Sequence, residues 1–154
     1  MSHFDTNPKS LKDLLTQIDM GELVLPDFQR DFVWDPSATE ELIESIMRKY
    51  PAGSLLFLKH DGSGFQVREF EGATKLRSTV GASYLVLDGQ QRMTSLYQAF
   101  YGKGEHRYFL DIETLFKNGD IEEAVWHESA KKAERLRLTD PSTRLRLGGR
   151  LRTR

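Results

Sequence analysis

The 154-residue sequence contains no cysteine, which excludes disulfide staples, thiolate metal ligands and a cysteine nucleophile. Histidine is scarce: His3, His60, His106 and His127 are scattered, no pair has helical ligand spacing, and all four read as surface residues. No apolar run approaches the roughly 18 residues that suggest a membrane span. The N-terminus lacks the basic-then-apolar pattern of an export signal, so a cytoplasmic protein without membrane attachment is expected. No internal repeat is visible. What remains, 38% hydrophobic and 29% charged residues, is the composition of one domain with a real core.

The formal net charge of −1 conceals an asymmetry. Residues 131–154 carry nine Lys and Arg against Glu134 and Asp140, a surplus of +7, and the rest of the chain carries −8. From Leu136 onward arginine and leucine alternate, including Arg144, Arg146, Arg150 and Arg152. That alternation suits either a strand with one basic face or a disordered arm, and it attracts phosphate without reading sequence. With no aromatic ring in this stretch, base stacking is poorly supported.

Residues 84–101, YLVLDGQQRMTSLYQAFY, organise the chain. Tyr84 to Leu87 reads as a short buried strand, Asp88-Gly89 breaks it, and Met93, Leu96, Tyr97, Phe100 and Tyr101 recur at helical spacing. A strand passing through a tight turn into a helix aims free N–H groups at one spot, an arrangement that suits an anion. A carboxylate (Asp88), two amides (Gln90, Gln91) and a guanidinium (Arg92) crowd that turn. The plainer alternative is a helix start capped by Asp88, with the other polar groups solvated. Arg92 strains that alternative, because a cation in a first helical turn opposes the helix dipole. Some other interaction must hold it, and a phosphate would do so. On that reading Arg92→Ala would cost function and leave folding unharmed.

Upstream, Ser10 caps an amphipathic helix with Leu11, Leu14, Leu15 and Ile18 on one face and Gly21 at its end. Residues 22–25 read as a strand. The stretch 26–34, PDFQRDFVW, fits neither a strand nor a helix. It is either a surface loop pinned by its aromatics or a loop that brings Arg30 to the Asp88–Arg92 turn. Asp35-Pro36 starts a second helix with Leu42, Ile43, Ile46 and Met47 buried, and Pro51 stops it. Strands are expected at 54–59, 65–71 and 107–112, an exposed loop at 72–83, and a last helix from Asp120 to about residue 138.

These stretches together resemble the N-terminal domain of GmrSD-type (type IV) restriction enzymes, of the ParB/sulfiredoxin-like superfamily. The resemblance rests on Pro26–Trp34, the helix Glu41–Pro51, the strand Gly53–Phe57 and Leu87–Leu96 with its Asp-Gly-Gln-Gln-Arg signature. It runs in order over roughly residues 8–113. It implies an α+β domain, a small mixed sheet with packed helices, that binds and hydrolyses a nucleoside triphosphate with Mg²⁺. In that family the activity gates or powers cleavage of modified phage DNA by a separate HNH-type nuclease domain. Carried over by position, Gln29, Arg30, Gly89, Gln90, Gln91 and Arg92 would bind nucleotide. Asp88, Gln91 and Arg92 would be catalytic, with Asp88 also the metal ligand and Gln90 or Gln91 orienting the attacking water.

The organisation expected is therefore a loose N-terminus over 1–9, the domain over 10–138 and a basic tail over 139–154. No His-Asn-His constellation is present, so a nuclease partner is expected to act in trans. The alternative function is a non-catalytic, ParB-like module that binds DNA or recruits a partner through Arg144, Arg146, Arg150 and Arg152.

Overall fold

Ser10 Oγ accepts a hydrogen bond from the Asp13 amide (3.1 Å) and starts helix α1, Leu11–Met20, which buries Leu14, Leu15 and Ile18. The coordinates are a computed structural model, and they describe residues 8–73, 81–137 and 144–147. Strand β1, Leu23–Pro26, is buried along its whole length. Asp35 caps α2, Pro36–Met47, by accepting from Ser37 N (2.9 Å), and Pro36 occupies the first turn, where its missing N–H costs nothing.

Strands β2 (Leu56–Lys59), β3 (Val67–Arg68) and β4 (Tyr84–Asp88) complete a four-stranded sheet in the order β2-β4-β1-β3. Here β1 runs parallel to β4, while β2–β4 and β1–β3 are antiparallel. The sheet is therefore mixed, with the fully buried Leu85 and Val86 on its central strand β4. That strand leads through Gly89 into α3, Gln90–Tyr101, which is buried from Gln90 to Ala99 except at Arg92. Helix α3 packs on α1, α2 and β5 (His106–Asp111). One apolar cluster unites Leu15 and Ile18 of α1, Ile43 of α2, Leu25 of β1 and Tyr97 of α3 with Tyr108 and Val125 beyond. The domain is α+β, as the family resemblance implied.

The C-terminal third departs from the sequence expectation. A helix α4 (Ile112–Asn118) follows β5, and in place of one helix from Asp120 to 138 there are a single turn α5 (Ile121–Ala124), β6 (Val125–Ser129) and α6 (Ala130–Arg137). Asp120 does cap a helix, accepting from Glu122 N and Glu123 N, but that helix lasts one turn. Tertiary pairing overrides local propensity here. Strand β6 pairs along β5 from His106↔Ser129 to Leu110↔Val125, and Trp126 stacks on its register partner Phe109 at 5.3 Å. With β7, Arg144–Arg146, on the other side of β5, a second sheet forms in the order β6-β5-β7. The expected strand at 65–71 contracts to Val67–Arg68, and of the expected loop at 72–83 residues 74–80 lie outside the described residues.

Three of the four histidines also depart from the surface reading. His60 is buried, and His127 Nδ1 is hydrogen-bonded to Glu40 Oε1 (2.7 Å) with His106 edge-on at 5.3 Å. This contact joins β6 to α2. Among the described residues no helix is long and apolar enough to cross a membrane.

Tyr97 offers a test of the packing. Its side chain is fully buried and its hydroxyl donates to Asp19 Oδ1 at 2.7 Å, linking α3 to α1. Burial, and then the bond to the Asp19 carboxylate, push the phenol well above its ordinary value of 10.0. The folded state thus holds this proton more tightly than the unfolded chain. The resulting stability is intact below pH 10 and declines as pH rises above it. Tyr108, raised mainly by burial, contributes to the same alkaline decline. Tyr97→Phe should lower stability by about 1–2 kcal/mol at neutral pH, since the bond is to a charged group that keeps some water. It should also flatten the alkaline limb of a denaturation-versus-pH series. An unchanged limb would mean that Tyr97 titrates normally.

Candidate functional site

A cleft of about 380 Å³ opens where β4 meets α3, lined by Gln29, Arg30, Trp34, Leu87, Asp88, Gly89, Gln90, Gln91 and Arg92. All the residues assigned to nucleotide binding and catalysis from the sequence lie around it. Arg144 and Arg146 belong to β7, paired with Asp111 and Phe109 in the second sheet, and Arg150 and Arg152 lie outside the described residues.

The turn is shaped by Gly89. Its φ of 92° is a left-handed conformation that side chains rarely adopt, and a Cβ there would overlap the Leu55 methyl. Gly89 is the N-cap of α3, and no side chain caps the helix. Asp88 therefore does not play the capping part open to it. Its side chain is 67% exposed and stands 3.5 Å from Arg92.

The polar residues that follow have partners that sequence could not supply. Gln90 Nε2 donates to the main-chain carbonyl of Arg30. Gln91 is bound at both ends of its amide, donating to Asp31 O (2.9 Å) and accepting from Val33 N (3.0 Å). Both side chains are buried, so these bonds satisfy groups that would otherwise be costly to hide. Gln29 reaches the opposite way, its Nε2 donating to Val86 O (2.8 Å) and Leu87 O (3.0 Å). Arg92 donates to Ala52 O and Ser54 O, each at 2.6 Å, across the segment before β2. Gly53 lies between those carbonyls with φ 87°, and a Cβ on it would overlap the guanidinium. Two carbonyl dipoles thus supply the compensation that a first-turn cation requires.

Arg30 differs from all of these. It is exposed at the cleft, and among the described residues its guanidinium has no partner. The 26–34 aromatics divide: Trp34 packs against the core, whereas Phe28 is largely exposed and touches Phe65 (5.8 Å). Sequence reasoning missed Arg68. Its Nη2 donates to Gln29 O (3.0 Å) and Arg30 O (2.8 Å), from a position fixed by the pairing Leu25↔Arg68. Only strand register could have revealed it.

The bonds of Arg92 alter one expectation, that replacing it would leave folding unharmed. Arg92→Ala removes the donor for two carbonyls and should destabilise the domain by about 2 kcal/mol, the scale of a partly exposed charge-assisted bond. Gly89→Ala should cost more than about 1 kcal/mol through strain at positive φ and the clash with Leu55. Thermal or chemical denaturation of both variants checks this. An Arg92→Ala midpoint equal to that of the parent would show that the carbonyl contacts contribute nothing.

Two likenesses to known proteins bear on the site. The uncharacterized protein MJ0686 of Methanocaldococcus jannaschii is 34% identical over 131 residues, covering 77% of this chain. The chain spans 22% of that relative's length. The model of the family described as GmrSD restriction endonuclease, N-terminal domain, matches residues 11–145, a span that holds the mixed sheet and the cleft and ends within β7 of the second sheet. The chain belongs to the GmrSD restriction endonuclease N-terminal domain family.

Proposed function

We propose that the cleft binds the polyphosphate of a nucleoside triphosphate together with Mg²⁺, and that hydrolysis there regulates restriction of modified DNA by a nuclease domain or subunit. The observation that carries this reading is that the Arg30 guanidinium, without a partner among the described residues, shares one cleft with the exposed Asp88 carboxylate and the uncapped start of α3. Arg30 would neutralise phosphate charge, and first-turn N–H groups favour phosphate oxygens. Among the described residues no three His, Asp or Glu side chains gather into a metal cage. A lone carboxylate nonetheless fits Mg²⁺, which keeps waters and takes much of its coordination from substrate phosphates. Asp88 would hold the metal or the attacking water. Of the two glutamines, Gln90 keeps its Oε1 without a partner among the described residues and could orient that water. Gln91, bonded at both ends, would serve by fixing the loop.

Calorimetric titration with each of the four ribonucleoside triphosphates and Mg²⁺ tests binding, and phosphate release tests turnover. Saturable binding of at least one is expected. Asp88→Asn should reduce turnover by about 10²-fold or more, with the melting midpoint nearly unchanged. Absence of heat and of thermal stabilisation with all four would overturn the reading.

A second reading, a DNA-binding module, is favoured by the +7 charge of residues 131–154. Because β7 is part of the second sheet, the appropriate truncation follows Leu147 and removes Arg150, Arg152 and Arg154. If these arginines neutralise phosphates, the slope of log affinity against log salt should fall by about 0.9 for each phosphate no longer neutralised. An unchanged slope would leave the tail without a role in DNA binding.

A further inference from the structure

We propose that Arg68 is a positioning residue that holds the 29–33 loop so that Arg30 faces the phosphates of the bound ligand. This rests on the nucleotide reading of the cleft. The loop between β1 and α2 has no regular secondary structure from residue 30 to 35. An irregular segment of this kind ordinarily satisfies its main chain with water and stays mobile. Here side chains from elsewhere take over that task. Arg68 donates to Gln29 O and Arg30 O, Gln90 to Arg30 O, and Gln91 bonds Asp31 O and Val33 N.

Arg30 O is thus held by two donors, one from β3 and one from α3, while the Arg30 side chain is left unbound among the described residues. Fixing the main chain on either side of a free cation is what presentation to a ligand requires. The ordering entropy is lost at folding and not again on binding. Arg68 is suited to the task because a guanidinium is always charged and can donate to neighbouring carbonyls at once. Its side chain is mostly covered, and its nearest carboxylate, Asp31, is 3.9 Å away and 94% exposed. The carbonyls, rather than an ion pair, therefore hold it. No catalytic contact is assigned to Arg68. Its effect on a ligand passes through the Arg30 main chain.

A double-mutant cycle on the full chain tests this, with inorganic tripolyphosphate and each ribonucleoside triphosphate plus Mg²⁺ as probes. Affinities are measured well below each variant's melting temperature. Arg30→Ala should weaken tripolyphosphate binding about tenfold or more, the scale of one charge-assisted contact. Arg68→Ala should weaken it several-fold in the parent and less than about twofold in the Arg30→Ala background, since the effect has nothing left to act through. A merely structural role would give the same factor in both backgrounds, and that result overturns the proposal. Should Arg68→Ala fail to fold, Arg68→Gln, which still offers an amide to one carbonyl, replaces it in the cycle with the same non-additivity expected. If tripolyphosphate binds with this coupling but no nucleoside triphosphate does, the positioning role stands and the nucleotide reading fails. Nucleotide binding indifferent to both substitutions overturns the positioning role and leaves the nucleotide reading standing. No binding of either probe overturns both.

Discussion

The site depends on hydrogen bonds from side chains of the first turn of α3 to main-chain groups of two irregular segments. Gln90 and Gln91 tie the helix start to the loop 30–33, and Arg92 ties it to residues 52–54. All but the exposed bond from Arg92 to Ser54 are made in a partly dry setting, where an amide or guanidinium opposite a carbonyl is stronger than at the surface and an unpaired one would be costly. Because the helix start is continuous with the inner strand β4, these bonds fix the cleft walls to a strand whose Leu85 and Val86 are fully buried. The same geometry accounts for Gly89 and Gly53: each is a place where a Cβ would collide with a side chain that the network needs.

Two guanidiniums that look alike in sequence are thereby separated by environment. Arg92 is 21% exposed and bonded to two carbonyls, whereas Arg30 is exposed and unbonded among the described residues. A polar motif of this density serves the architecture and the cleft at once. Asp88 and Arg30 are exposed charged groups at the cleft, and the amides and Arg92 fix the segments that carry them.

Where local signals and tertiary demands agree, the elements followed from sequence. Ser10, Asp35-Pro36 and the apolar stripes of α1 and α2 specify helices without reference to the rest of the chain. The strand–turn–helix at 84–101 was equally legible, because the change from a continuous apolar run to helical spacing occurs at a glycine. Residues 120–138 were not. Their local preferences allow a helix, but Val125–Ser129 pairs with β5, and the stacking of Trp126 on Phe109 becomes available only once the strands meet.

The sequence by itself determined the presence and starts of the first two helices and of α3, and the concentration of polar groups at one turn. Those features rest on period, caps and turn residues, all within a few positions of one another. Tertiary structure alone decided what the polar groups bond to. The main-chain partners of the Gln90, Gln91 and Arg92 side chains lie 38 to 60 residues away in sequence, and Arg68 reaches the loop only through the β1–β3 register. A main-chain carbonyl carries no residue identity, so no pattern in the sequence announces which one a guanidinium will find.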